Sequence, residues 1–528
     1  MKSTLIKLVS LILVVSILLS GCTFLGGLVG SGLVPYRQME YVRPNMLQFD
    51  AVLEKSCATA LETDSIELLE YTILEFYDVY DAFYTNYSLA LIAHSRDLTD
   101  IYWAEEYAYC NAQAATADAG LDQLYRHLAQ SPLREILEGE AYFGPGYFDS
   151  FEGDSIYDEH FLELLNQQAQ LQAQYQLLNG QAADTAYYSE EYFSQYGSQM
   201  EEVFLQLVQL RQQMAEYLGY ESYTQLAYDF YYIRDYSPQQ AMSYLADIRA
   251  ELAPLYSGLS EGQLSASTEA ETLQYVRSMA KNMGGVIWDA FSDMSRAGVY
   301  DIAYSPNKYG VSFEIYLTTY YTPYIFLSPT GTTYDRLSFA HEFGHFCTDY
   351  VMPGGSMLST DVSEVFSQGM EYLSLLYAEG GQELTRMKME DALRVYVEQA
   401  ALASFEHQVY DLSGVKLSVE GIRQLYEEIN VAYGLDAEGW DSRDYVCVPH
   451  FFESPLYIIS YVLSNDAALQ IYELELQRQG SGLACLTGNL ASGQPYFLSF
   501  MEEAGLESPF ATGRTQRVKE TLQSILNG

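Results

Sequence analysis

Apolar residues recur at three- and four-residue spacing along most of this chain, the pattern of helices that bury one face. The spacing predicts a helical run over 66–230, clearest in 121–136 and 200–218 and broken near Gly144-Pro145-Gly146 and Gly180. Within 167–176 the only large apolar residues are Leu171 and Tyr175, four apart, a thin stripe for a helix in a glutamine-rich piece. Ser237-Pro238 supplies a cap and a first-turn proline and opens a second helical tract that runs to about residue 290. The period then changes. Val311, Phe313, Ile315, Leu317, Thr319 and Tyr321 alternate, and Ile325 follows, which predicts two short strands, 311–319 and 323–328. Beyond Asp335 the helical period returns and holds to the end, with no internal repeat. The fold class is therefore mostly α with a small β element.

The first residues follow a different rule. Lys2 and Lys7 flank the start of a dense apolar run over 8–19, and Ser20-Gly21-Cys22 follows. A basic start, an apolar stretch of that length and small residues before a cut describe a secretory signal. Leu19-Ser20-Gly21-Cys22 resembles a bacterial lipobox, which implies a signal peptide over 1–21 and lipid on Cys22. A glycine-rich tether over 22–40, with Gly26, Gly27, Gly30 and Gly32, then holds the globule off the membrane. The expected location is the bacterial cell envelope, lipid-anchored and extracytoplasmic. No later apolar run is long enough to span a bilayer.

Charge narrows the partners. The 528 residues carry 26 Lys plus Arg against 71 Asp plus Glu, a formal net charge of −45, which excludes an ordinary nucleic-acid binder. Charged residues make up only 18%, and 49 tyrosines are expected to fill much of the remaining amphipathic surface. Such a surface favours neutral or basic partners. After Cys22 the cysteines are Cys57, Cys110, Cys347, Cys447 and Cys485, odd in number and widely spaced, so they read as buried thiols and not as a disulfide framework.

The chemistry concentrates in Ala340-His341-Glu342-Phe343-Gly344-His345. Four-residue spacing on a helix puts His341 and His345 on one face, one turn apart, where both can offer a nitrogen to one metal ion. Glu342 stands beside them as a candidate general base for a metal-activated water. A catalytic zinc needs a third protein ligand. A metzincin would place histidine six residues after His345 and glycine three after it, but Val351 and Thr348 stand there. A carboxylate from a following helix is the alternative. Glu364 lies 19 residues past His345, and Pro353-Gly354-Gly355 between them supplies a turn that returns an antiparallel helix. Asp361 and Glu371 compete for the ligand role, Glu371 more naturally as an acceptor behind a histidine.

These segments resemble the oligoendopeptidase F and thimet oligopeptidase family of zinc metallopeptidases, the oligoendopeptidase F branch above all. The resemblance rests on Pro323-Tyr324-Ile325-Phe326-Leu327-Ser328-Pro329-Thr330-Gly331-Thr332 leading into the His-Glu-x-x-His helix, and on Glu364-Val365-Phe366-Ser367 with Glu371. Ala403-Ser404-Phe405-Glu406 and Leu425-Tyr426 add to it. It covers about 220–480 well and the N-terminal part only in general character. Thr348 stands where the family usually has histidine, and the stretch from His345 to Glu364 is shorter. The resemblance implies a two-lobed helical ellipsoid with a deep active-site channel and a small sheet beside the zinc helix, divided into an N-terminal lobe over 41–235 and a catalytic lobe over 236–528. It implies one zinc ion on His341, His345 and Glu364, and short oligopeptide substrates. It also implies that His450, Tyr457 and Tyr461, in Pro449-His450-Phe451-Phe452-Glu453-Ser454-Pro455-Leu456-Tyr457-Ile458-Ile459-Ser460-Tyr461, contact substrate and the developing oxyanion. Tyr457 and Tyr461 are expected one turn apart on a helix, facing the cleft. The strand over 323–328 is the candidate for pairing with an extended peptide.

The expected activity is zinc-dependent endopeptidase cleavage of short peptides, with Glu342 activating the water. The rivals are a non-catalytic peptide-binding lipoprotein, which has no need of Glu342, and a related zinc dipeptidyl carboxypeptidase. His94, His127, His160 and His407 read as structural or surface residues.

Overall fold

The computed structural model describes residues 32–527 except 183–184, 186–187, 258, 260–263 and 353–357. The expected export signal, Cys22, the first part of the expected tether (22–31) and Pro353-Gly354-Gly355 lie outside the described residues.

Three long helices open the fold: α1 (Met46–Glu62), α2 (Ile66–Arg96) and α3 (Ile101–Ala129). Each starts on a side chain that accepts from a first-turn N–H, Asn45, Ser65 and Asp100 in turn. The three pack on one another, and Phe49, Phe76, Leu124, Tyr125 and Phe148 give them a core of their own. The larger core runs from Leu89 to Leu522 and takes in α4 (Glu159–Gln181) and α5 (Ser198–Tyr217) together with the C-terminal half. The glutamine-rich piece lies within α4. Its thin apolar stripe is supplemented by hydrogen bonds: Gln172 donates to the carbonyls of Phe452 and Glu453, each at 3.1 Å, and Gln176 donates to the Glu453 carboxylate at 3.0 Å.

The two predicted strands are present, shortened, as β2 (Phe313–Leu317) and β3 (Thr322–Phe326), with a third, β1 (Tyr300–Asp301), that two residues of sequence cannot announce. The order is β1-β3-β2, with β1 parallel to β3 and β2 antiparallel to it. A single 3-10 turn over Thr318–Tyr320 and Tyr321 at φ 48° form the corner that ends β2 early. β3 is buried at every position, paired with β2 along its whole length and with β1 at Ile325 and Phe326, so it offers no exposed edge to a peptide. The expectation that residues 323–328 pair with substrate is corrected by this. The outer edge of β2 carries no strand among the described residues.

Helix α6 (Tyr334–Val351) rests on β3 and against α7 (Thr360–Tyr377), which packs in turn on α8 (Ile459–Gln477). Among the described residues no helix is long and apolar enough to cross a membrane, and the five cysteines are unpaired. Tyrosines depart from the sequence expectation. Tyr125, Tyr175, Tyr192, Tyr223, Tyr228 and Tyr324 are fully buried, so much of the tyrosine content belongs to the interior and not to the surface.

Arg211 of α5 ties the halves together. It is fully buried and donates to the carbonyls of Phe451 and Phe452 and to the Tyr410 hydroxyl, fixing the turn that carries His450. Arg211→Met leaves those carbonyls without partners. We expect a loss of about 2–4 kcal/mol, read as a lower urea midpoint with an unchanged m-value.

Candidate metal centre

Helix α6 is aimed by its entry turn. The Asp335 carboxylate accepts from the backbone N–H groups of Thr330 and Gly331, at 2.7 and 2.8 Å, closing the loop between β3 and α6. Four-residue spacing then puts the His341 and His345 rings 5.0 Å apart. Gly344, between them, meets α7 backbone to backbone. A Cβ there would lie 2.5 Å from Ser367 Cα and 2.8 Å from the Phe366 carbonyl oxygen. That approach brings Glu364 Oε2 to 3.3 Å from His341 Nε2 and 3.7 Å from His345 Nε2. One ligand atom from each of the three residues falls within a 4.8 Å group, the one such cluster among the described residues.

The opposite ring nitrogens are held. His341 Nδ1 meets Glu371 Oε1 at 2.7 Å, and His345 Nδ1 meets Ser363 Oγ at 3.0 Å. If both Nδ1 atoms donate, both Nε2 lone pairs and a carboxylate oxygen converge, acceptor facing acceptor, which is favourable around a metal cation or with a proton on His341 Nε2. Two imidazole nitrogens and one carboxylate oxygen are also the donor set of a catalytic divalent metal site. The residues fit a metal ion.

The electrostatics agree. Burial disfavours the charged form of His341, but the hydrogen bonds and charges of Glu364 and Glu371 outweigh it and hold its pKa well above the ordinary value. Burial draws His345 down to about 4. Burial opposes ionisation of Glu364, yet the two histidines and the Tyr457 phenol hold it at about 2. Glu342 is buried and pushed up to about 8, first by burial and then by the charges of Glu364 and Glu371. A cation beside it favours its carboxylate form.

Two open questions are settled by contacts. Asp361 faces away from the histidines: it accepts from Tyr236 at 2.9 Å and from Ser460, and lies 3.4 Å from the buried Arg234 guanidinium. Glu371 sits behind His341 as an acceptor, with its other oxygen 2.7 Å from Lys388, itself buried and 3.0 Å from Asp391. Cys347 is buried and Thr348 donates back to the Gly344 carbonyl, so neither joins the cluster.

His450, Tyr457 and Tyr461 form an aromatic group with ring centroids 5.2–5.7 Å apart. Tyr457 donates to Glu364 Oε1, and the Tyr461 hydroxyl lies 3.1 Å from His450 Nε2. Tyr457 is not on a helix with Tyr461. It precedes α8, after Leu456 at φ 66°. That left-handed leucine is held from both sides: its N–H donates to Glu406 at 2.6 Å and its carbonyl accepts from Arg234 at 2.9 Å. Lys388, Ser363, Arg234 and Leu456 were not singled out in the sequence. Only Lys388, set between Met387 and Met389, carried even a weak signal of burial.

Among the remaining histidines, His127 and His407 hold backbone carbonyls and His160 stands edge-on to Tyr217. His94 lines a cavity of about 320 Å³, together with Tyr87, Gln176, Phe313, His450 and Glu453.

The fold and site together define a mostly helical protein with a His-His-Glu cluster on two crossing helices, its glutamate buried and its histidines partly exposed. Residues 36–155 match the family model for the peptidase M3 N-terminal domain. The chain shares the fold of a structure described as an oligoendopeptidase F, at 20% identity and TM-score 0.81, over 94% of this chain and 99% of that one. It likewise shares the fold of PZ peptidase A solved with an inhibitor, at 19% identity and TM-score 0.80 over 93% and 99%. An oligoendopeptidase F structure from Bacillus anthracis str. Ames gives 21% and 0.77 over 94% and 99%. No curated protein matches the chain in sequence. These findings bear out the resemblance to the M3 oligoendopeptidase family and support a peptidase. The family model falls on the N-terminal helices, where the motifs are weakest.

Gly344→Ala tests the geometry. The added methyl group pushes α6 and α7 apart, and we expect bound metal, measured by elemental analysis after gel filtration, to drop from one equivalent per chain to well below half.

Proposed function

We propose that this protein is a zinc-dependent endopeptidase that hydrolyses short oligopeptides. The observation that carries the reading is the convergence of His341, His345 and Glu364 beside the buried carboxyl of Glu342. A zinc ion held by those three residues supplies Lewis acidity to a water molecule and to the scissile carbonyl. Glu342 takes the proton of the attacking water and passes it to the leaving amine. Burial draws the His450 pKa down to about 4, so it is a neutral imidazole at pH 7 and, with the Tyr461 phenol, a donor to the oxyanion that develops on the carbonyl. Tyr457, bonded to Glu364, orients that carboxylate. The outer edge of β2 is the place for an extended peptide backbone, since β3 is paired on both sides. The cavity of about 320 Å³ that His450 lines has room for part of a short peptide and not for a folded domain.

Glu342→Gln keeps the metal-binding residues and removes the base. We expect full zinc content and a fall in kcat of about 10²–10⁴-fold on an internally quenched peptide. Turnover near wild type would remove Glu342 from the mechanism. Product mapping on peptides with blocked and free ends separates internal cleavage from dipeptide release.

We also propose that lipid on Cys22 anchors the enzyme to the extracytoplasmic face of the bacterial cell envelope, on the strength of the Leu19-Ser20-Gly21-Cys22 pattern. Cys22→Ser is expected to shift the protein from the membrane pellet to the soluble fraction, followed by immunoblot.

A further inference from the structure

The cavity that His94 and His450 line holds a carboxylate that the mechanism above does not use. Glu453 lines it, one turn past His450. Gln176 donates to Oε1 at 3.0 Å and Tyr309 donates to Oε2 at 2.8 Å. Both donors are neutral, and each carboxylate oxygen accepts more than one bond. Among the described residues no lysine or arginine lines the cavity. The two histidines in its wall, His94 and His450, are drawn by burial toward their neutral forms. Glu453 therefore faces a partly open space without a counterion among the described residues, and burial raises its pKa, so a cation placed there would stabilise the carboxylate form.

The other walls suit a cation. Tyr87, Tyr107 and Tyr309 offer ring faces and hydroxyls, with the Tyr87 and Tyr107 hydroxyls 3.5 Å apart. His94 stacks on Tyr107 at 5.6 Å, and its Nδ1 is buried with no hydrogen-bond partner. Phe313, the first residue of β2, also lines it, as does His450, whose ring stands beside Tyr457 and Tyr461. A peptide lying along β2 therefore places one of its residues at this opening.

We propose that the cavity is a subsite for one cationic group of the peptide substrate, with Glu453 as its counterion. The inference rests on the peptidase reading and adds a substrate class to it. The cation is either a lysine or arginine side chain or the ammonium of the peptide's N-terminus. All three present a donor-rich positive group to a carboxylate framed by aromatic rings.

The test uses the zinc-loaded protein and a set of quenched peptides in which arginine is exchanged for citrulline, its neutral isostere, one position at a time. A second set compares free with acetylated N-termini. Assays run at about 0.5 M salt, where steering by the acidic surface is screened. One position, or the free N-terminus, is expected to raise kcat/KM at least tenfold. Glu453→Gln and Gln176→Lys, which neutralises the carboxylate from within, should each bring that ratio to within twofold of one, while Glu453→Asp keeps most of it. Equal rates for arginine and citrulline at every position with acetylation also without effect, or a preference that survives Glu453→Gln and Gln176→Lys, overturns the proposal and leaves Glu453 a structural acceptor. Calorimetric binding of the same peptides to zinc-loaded Glu342→Gln reads the subsite without turnover. If no peptide is cleaved by wild type, the peptidase reading fails. Binding that ignores the charge then overturns this proposal separately, and charge-selective binding lost in the Glu342→Gln/Glu453→Gln double variant upholds it.

Discussion

The site depends on how closely two helices can approach. α6 and α7 cross where Gly344 faces Ser367, and the space there is smaller than one methyl group. Ridge-into-groove packing of larger side chains separates helix axes by roughly 8–10 Å. A carboxylate reaching from α7 would then fall short of the two imidazoles. The glycine of the His-Glu-x-x-His segment is thus as much a part of the centre as the ligands, although it touches nothing that reacts. The third donor comes from a separate helix, and its reach is set by a backbone contact.

Around that contact, charges are paired so that each acid has one task. Asp361, Glu364 and Glu371 lie on one helix, within three turns, yet they have different partners. Arg234 and Tyr236 turn Asp361 away, the histidines and Tyr457 claim Glu364, and Lys388 holds Glu371 behind His341. A buried carboxylate without a specific partner would be costly and free to compete for the metal. Pairing two of the three with buried cations leaves one available. Arg234 acts twice, since it also holds the carbonyl of left-handed Leu456, the residue that sets the entry of Tyr457. The metal side and the aromatic side of the cleft are therefore positioned by one guanidinium.

Much of this was legible in the sequence, and the failures share a cause. The helical period, the two strands and the His341, Glu342 and His345 set are local patterns, because spacing along one element fixes which residues share a face. Glu364 against Asp361 could not be decided from spacing, as the two residues sit within one turn and only their partners from distant segments separate them. The same holds for β3. Its aromatic and branched residues announce a strand, but whether its edges are free depends on β1, whose two residues carry no pattern. Tyr457 was placed on a helix because its spacing to Tyr461 fits one. The chain instead enters α8 through a left-handed leucine held by Arg234 and Glu406, residues more than two hundred and about fifty positions away.

The tyrosines show how such long-range partners are selected. A core built from phenylalanine would pack comparably, but a buried phenol that finds a partner favours one arrangement among many of similar density. Tyr236 finds Asp361, Tyr372 finds Asn465, Tyr228 finds His407, Tyr433 finds the Leu245 carbonyl and Tyr457 finds Glu364. Each bond joins segments far apart in sequence, and those at Asp361 and Glu364 bear directly on the centre. A chain with 49 tyrosines and 24 phenylalanines is thus supplied with directional couplings inside its core. Side chains that look interchangeable by hydropathy decide here which acid faces the histidines and which is turned away.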